Sequence, residues 1–323
     1  MSLRAGIIGA GQIAWRYDGG AWDGARSVTH SACLDRHPDT ELVAILEPAA
    51  QVRTDLRTQH PKGDALVLPE RLEDFLALDL DMVTIASPSE HHARHIAACL
   101  NAGIPRLWIE KPVTLDLDAY RDLRTTLTAM EHPPRTCVNY FRRFLPQYQH
   151  LRAHLNTSPG ITGVALTYSR RLDVNGVHLL DVLGFLFEVA TPPPLEWLRP
   201  DAGGNPSFGL MLGDVPVTVT GHDLPYHAVD VAVTGAEGRM SVTRGGLDLV
   251  WEAACPNPDY PGFHHLAPPK PVPGFEDAGD WMRDGTFRAL DALVAEGPPP
   301  ASTLETAWFA QALMARALEG SGP

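Results

Sequence analysis

Four cysteines among 323 residues are too few and too scattered to staple a fold. Cys33, Cys99, Cys137 and Cys255 form no CxxC pair and have no histidine or cysteine at metal-ligand spacing. That excludes a disulfide scaffold or zinc ribbon and reads as reduced thiols in a cytoplasmic protein. Positive charge is scarce too: 26 lysines and arginines against 39 aspartates and glutamates, a net charge of -13. A surface that neutralises phosphates needs the reverse balance, so nucleic acid is excluded as a partner. No apolar run approaches the roughly 20 residues of a membrane span. The first strand begins almost at Met1, which leaves no room for a signal peptide. Internal repeats and low-complexity tracts are absent. What the chain does have is 44% hydrophobic residues and length for about two domains.

Over the first 140 residues, short apolar strands alternate with helical stretches. Candidate strands are Ala5–Gly9, Leu42–Glu47, Ala65–Leu68, Met82–Ala86, Leu107–Ile109 and Thr136–Tyr140. "RLEDFLAL" and "SEHHARHIAACLNAG" have helical spacing, the second closing on Asn101-Ala102-Gly103. The alternation implies βαβ units and a doubly wound parallel sheet. After Phe144 the texture changes. Helices "PQYQHLRAHLN" and "HLLDVLGFLFEVA" flank one strand, and short strands joined by Gly-containing turns run to about Ala253, as in an antiparallel sheet. "PNPDYPGFHHLAPPKPVPGF" reads as a long ordered loop, and two helices close the chain.

"IIGAGQIA" places Gly9-x-Gly11-x-x-Ala14 after the first strand and before an expected helix. The first glycine permits the tight turn, the second lets a pyrophosphate approach the backbone, and the helix N-terminus receives the phosphate. Gly9, Gly11, Gln12 and Ile13 are therefore candidate dinucleotide contacts. Glu47 ends the second strand and can hydrogen-bond a ribose 2′-OH while repelling a 2′-phosphate, which favours NAD over NADP. It lies well beyond the roughly 20-residue spacing of the usual fingerprint. The excess is the insertion "RYDGGAWDGARSVTH", whose Tyr17 and Asp18 are candidate substrate contacts. Ser87, Pro88 and His92 follow another strand end, where ligands of such sheets bind. His91 and His95 share a helix face without an acidic third ligand, so no metal site is expected.

"RLWIEKPVTLD" ends a buried strand with Glu110, Lys111 and Pro112. A lysine there can donate to a substrate oxygen and a cofactor hydroxyl, with Pro112 fixing the backbone that aims it. In "RRLDVNGVHLLDVLGFLF", Asp173, Asn175, His178 and Asp181 fall at a turn and a helix start. His178 and Asp181 are three residues apart and share a face. Imidazole titrates where the hydroxyl proton of an alcohol undergoing hydride loss must be taken up.

"IIGAGQIA", "ASPSEHHARHIAACLNAGIPRLWIEKP", "NYFRRFLP" and "NGVHLLDVLGFLF" occur in the order seen in the Gfo/Idh/MocA oxidoreductases, which this chain resembles over nearly its whole length. The resemblance implies an N-terminal Rossmann domain, 1–140, and a C-terminal α+β domain, 141–302, with a large open, mainly antiparallel sheet. It implies NAD or NADP chemistry on sugars, inositols or nucleotide-linked sugars, and a homodimer or homotetramer built on that sheet. It assigns catalysis to Lys111 and His178, and ligand contacts to Glu110, Pro112, Asn139 and Arg142. Many members place an aspartate four residues before the histidine. Here that position is Val174, and the third member is Asp173, Asn175 or absent. The family also contains non-catalytic sensors and enzymes that recycle tightly held NAD. Further expectations are a closing helix over 303–318 that returns to the first domain and a cis Lys111–Pro112 peptide. One sheet face should be apolar and exposed, and residues 17–30 should form an ordered loop near Lys111 or His178.

Overall fold

The computed structural model describes residues 2–18, 27–158, 160–276 and 284–320. It divides into two units, Met1–Phe141 with Arg283–Ala307, and Arg142–Met282 with Trp308–Pro323. The segment that joins the first unit carries the helix Gly285–Val294. The expected closing segment 303–318 is divided: residues 303–307 fall in the first unit, where Leu304 bonds to Tyr120 and Thr136, and the last helix, Trp308–Glu319, groups with the second.

The first unit is built on β1 (Leu3–Ile8), β2 (Thr40–Leu46), β3 (Met82–Ile85), β4 (Arg106–Ile109) and β5 (Arg135–Val138). All neighbours are parallel, in the order β2-β1-β3-β4-β5. Buried on both faces, β3 is apolar but for Thr84, close to the continuous run of a covered parallel strand. Helices α1 (His30–Arg36), α2 (Ala50–Gln59), α3 (Leu72–Leu76), α4 (Ser89–Asn101) and α5 (Leu117–Ala129) fill the crossovers. The order reverses between β1 and β3, and such a reversal opens a crevice beyond the strands' carboxyl ends. The strand expected at Ala65–Leu68 is reduced to one bridge. Val67 exchanges hydrogen bonds with Val43 and Ile45, and then Pro69, which has no N–H, omits one rung while its carbonyl still accepts from the Glu47 amide at 3.1 Å.

In the second unit, α6 (Pro146–Thr157), β6 (Ile161–Ser169) and α7 (Val177–Phe187) precede a run of strands. These are β7 (Leu195–Arg199), β8 (Ser207–Leu212), β9 (Val215–His222), β10 (Val229–Gly235), β11 (Gly238–Thr243) and β12 (Asp248–Pro256). The supposed proline-rich loop contributes two short strands, β13 (His264–Leu266) and β14 (Lys270–Pro271), which pair with β12. The sheet runs β13-β12-β11-β10-β6-β9-β8-β7 and is antiparallel except where β6 meets β9. Val164, Leu166, Val219 and Val231 bury one face. The other presents Ala165, Thr167, Thr218, Thr220, Ala232 and Thr234, half-buried to exposed. That face is small and hydroxyl-rich, not apolar as expected. No helix of the described residues is long and apolar enough to cross a membrane.

Helix α7 is apolar on every side, and a helix of that kind must be enclosed. The final helix α9 (Trp308–Glu319), which follows α8 (Gly285–Val294) in the chain, packs against it so closely that a Cβ on Gly184 would come within 2.8 Å of the Phe309 ring. The exceptions to its apolar character are His178 at its start and Asp181, which is fully buried. Arg143 answers it with Nε and Nη2 at 2.7 and 2.6 Å from the two carboxylate oxygens. Asp181, expected from the sequence as a substrate contact, is thus engaged by Arg143 within the protein. Removing one partner of a buried pair strands the other charge, at a cost of about 3–5 kcal/mol, whereas replacing both can be nearly neutral. Arg143→Met should therefore lower the urea midpoint sharply, and the double variant Arg143→Met, Asp181→Leu should recover most of the loss. A single variant with an unchanged midpoint would remove the pair's structural role.

Candidate cofactor and active site

Gly9 turns the chain at φ 96, and a Cβ there would lie 2.7 Å from the Ser87 Cα, so the β1 and β3 ends touch backbone to backbone. Only glycine satisfies both demands. At Gly11 a Cβ would meet nothing within 4 Å, and among the described residues the amides of Gly11, Gln12 and Ile13 find no acceptor. This open cradle of N–H groups fits a pyrophosphate. The expected helix does not follow it. Residues 11–15 are turns, Arg16–Asp18 is a 3-10 turn, and α1 starts only at His30. Even so, the amides of His30 and Ser31 reach back to the carbonyls of Ile13 and Ala14, at 3.0 and 2.9 Å. The insertion is therefore spliced into what would be the first turn of one helix. Asp18 closes its base, accepting from the Thr29 amide and hydroxyl and from the Val28 amide. That occupation corrects the substrate contact expected of Asp18. Tyr17 is exposed and lines the pyrophosphate side of the crevice. Residues 19–26 lie outside the described residues, and with them the expectation for the loop tip.

Beside the turn, a cleft of about 500 Å³ is bounded by Gly9, Glu47, Ser87 and Pro88 on one side and by Arg71, Glu73 and Arg94 on the other. Glu47 projects from the end of β2 and accepts from the Ala49 amide at 2.9 Å and the Ala10 amide at 3.3 Å. Arg53, the nearest cation in sequence, is taken by the carbonyls of Glu47 and Pro48 and by Glu70. Ser87 Oγ lies 2.9 Å from His95 Nδ1. Burial, with His91 and Arg94 nearby, lowers His95 to about 4, so its ring is neutral. Arg71 and Arg94 escaped the sequence reading because no local motif marks them.

The Lys111–Pro112 peptide is cis, as expected. Beneath it, Glu110 is almost fully buried, with Oε1 2.8 Å from His30 Nε2 and 2.6 Å from Asn139 Nδ2. Its Oε2 accepts from the Lys111 amide at 3.2 Å. Burial alone would push this carboxyl up, but the His30 hydrogen bond and charge, the Lys111 charge and the Asn139 amide hold it below its ordinary value. His30, itself fully buried, stands edge-on against Trp108 at 4.2 Å. His92, also buried, sits between two backbone carbonyls, Pro112 O at 2.9 Å and Ser87 O at 2.7 Å, and ties the β3 and β4 ends together. Glu110, Asn139 and His92, expected as ligand contacts, thus also bind one another's segments inside the protein. Lys111 is half-buried above this group. His30 was missed: the sequence marks it only as the last residue of an insertion.

In the second unit, a π-turn at Arg171–Gly176 delivers the chain into α7, whose second residue is His178, 6% exposed. Asp173 is held bidentate by Arg171 at 2.9 and 2.7 Å, which assigns it to bracing this turn rather than to completing a catalytic set. Asn175 donates to the Ser169 carbonyl at 3.0 Å. Arg142 is buried, its charge felt at Tyr148 and Asp181. Among the described residues no cluster of three or more metal-ligating side chains occurs.

Residues 3–133 match the Gfo/Idh/MocA family, described as an oxidoreductase family with an NAD-binding Rossmann fold. An inositol 2-dehydrogenase of Corynebacterium glutamicum is 30% identical over 201 residues, 57% of this chain and 54% of that protein. A D-glucoside 3-dehydrogenase of Escherichia coli is 27% identical over 176 residues, 54% of this chain and 45% of that protein. The chain thus spans about half the length of these relatives. A myo-inositol 2-dehydrogenase from Lactobacillus plantarum shares the fold, with a TM-score of 0.68 at 15% identity, covering 99% of this chain and 96% of that one.

The buried carboxylate makes a prediction with a definite sign. A group whose folded pKa lies below its ordinary value contributes stability above that value and loses it as pH falls through the folded one. For Glu110 the ordinary value is 4.5. Glu110→Gln should destabilise the protein by about 1–3 kcal/mol at neutral pH. Denaturation curves should show that gap closing as pH drops below 4.5. A gap independent of pH would mean that Glu110 carries no charge in the fold.

Proposed function

We propose, from the match of residues 3–133 to the Gfo/Idh/MocA oxidoreductases, an NAD-dependent dehydrogenase or reductase acting on a polyol, sugar or sugar derivative. The observation that carries this reading is the donor-lined turn at Gly9–Ile13 in the same unit as a lysine whose backbone is anchored by a buried carboxylate. Bound there, the nicotinamide supplies the hydride chemistry. The amides of Gly11, Gln12 and Ile13 hold the pyrophosphate, and Glu47 takes the adenosine ribose hydroxyls. NAD is preferred to NADP because Glu47 stands at the end of β2 in the adenosine-side cleft, where Arg53 pairs with Glu70, Arg71 with Glu73 and His95 is neutral, although Arg94 also lines it. Lys111 donates to the reacting oxygen, and His178 takes or returns its proton.

A second reading has one observation in its favour: Asp173 is spent on Arg171, and Val174 stands where many family members carry an aspartate. It makes the protein an NAD-binding sensor without turnover. Assays of NAD and NADP reduction across inositols, sugars and sugar acids separate the two. NAD-linked turnover is expected, falling about 10²- to 10⁴-fold in Lys111→Ala. Unchanged turnover in that variant would end the role given to Lys111, and cofactor binding without turnover on any substrate would favour the sensor. Assembly as a homodimer or homotetramer is proposed through the flat Ala/Thr face of the second sheet, because small side chains let two such faces approach closely. Light scattering at micromolar concentration should give a multiple of 35.1 kDa, and a monomer would refute it.

A further inference from the structure

Arg170 and Arg171 are consecutive non-glycine residues in the left-handed region, at φ 64 and 74. Bulky side chains are disfavoured there and persist only where the surroundings impose the conformation, which occurs most often at functional sites. For Arg171 the surroundings are plain: its amide donates to Asn205 Oδ1 at 2.8 Å and its guanidinium chelates Asp173. Arg170 has no carboxylate partner among the described residues. Its side chain meets His227, with Nη1 2.9 Å from Nε2. The other ring nitrogen, Nδ1, lies 3.2 Å from the Asn175 carboxamide nitrogen, whose remaining hydrogen goes to Ser169 O. The His227 segment is pinned in place by Ser169, which donates to Tyr226 O at 2.8 Å and accepts from the Ala228 amide at 2.9 Å.

This group is one acceptor short. A neutral imidazole has a single acceptor nitrogen, and a protonated one has none. Yet a guanidinium and a carboxamide both direct N–H groups at the ring. In every protonation state at least one of these N–H groups is left to solvent, and among the described residues no carboxylate offsets the Arg170 charge. Desolvation, with Arg170 and Arg142 close by, holds His227 below its ordinary value, which registers the positive potential of the place. Arg170 and His227 are exposed, and Asn175 stands three residues before His178 on the turn that feeds its helix. A missing acceptor beside an uncompensated cation is the complement of an anionic oxygen group.

We infer that Arg170, Asn175 and His227 form a subsite for a carboxylate or phosphate on the substrate, so that the preferred substrates are acidic or phosphorylated sugars or polyols rather than neutral ones. The inference deepens the oxidoreductase reading, on which it rests for the identity of the substrate. The subsite itself is tested by binding alone. Calorimetric titration of the NAD-saturated protein with glucose, glucuronate and glucose 6-phosphate should show at least one anion binding tenfold or more tighter than glucose. Preference for glucuronate assigns a carboxylate, and preference for glucose 6-phosphate assigns a phosphate. Arg170→Asn, which suits left-handed backbone, should cut that margin to less than twofold with an unchanged circular dichroism spectrum. Equal affinities for the three ligands, including none at all, overturn the subsite, as does a margin that survives in Arg170→Asn. Tight anion binding without turnover would count against the oxidoreductase and leave the subsite standing. Turnover of neutral sugars with no anion preference would do the opposite.

Discussion

Taking a carboxylate out of water costs several kcal/mol unless its oxygens are met by donors, and in this protein that demand organises the ligand-binding edge. Glu110 sits at the end of β4, where donors must come from elsewhere in the chain. His30 brings the first residue of α1, Asn139 the segment just past β5, and Lys111 its own amide. Satisfying one anion therefore fixes two strand ends and a helix start relative to each other. The residue that gains most is Lys111, whose backbone is bonded directly to the group everything else converges on.

The second unit repeats the arrangement in different material. Asp181 is buried in a helix apolar but for it and His178, and Arg143 reaches it from the turn before α6. One helical turn earlier on the same face is His178. In both units the residue proposed for chemistry stands beside a buried carboxylate that is itself fully engaged. A side chain next to such a fixed point has little freedom to drift, and positioning of that kind is what a hydride-transfer site requires.

How much of this was legible in the sequence depended on what each signal encodes. Alternating apolar runs and Gly9-x-Gly11 report backbone demands, and the parallel sheet and phosphate turn stand where those patterns placed them. Residue type does not report burial. Glu110, Asn139, His92, Asp18 and Asp181 looked like ligand contacts because they are polar and near strand or helix ends, yet each is occupied by another part of the chain. The cue that could have separated them is reciprocity. A carboxylate at the end of a buried strand needs donors, and Asn139 just past the next strand and His30 at a helix start were available. The bridge at Val67 and the broken first turn of α1 were hidden for another reason: Pro69 and the insertion act by interrupting elements whose apolar pattern continues through them.

Asp18 binding Thr29 has a consequence for how such a chain can change over time. The two ends of the insertion are joined to each other and, through Ile13 and Ala14, to the helix they interrupt. The anchoring of that segment is therefore set by Asp18 and Thr29, whatever length of chain separates them. Lengthening a closed loop costs only about 0.6 kcal/mol per doubling. Insertions and deletions between the two clasp residues are thus uncoupled from the first turn of α1 and from Tyr17 on the rim of the crevice, whose contacts lie outside them. One carboxylate separates a stretch whose length can vary over generations from the parts that must not move.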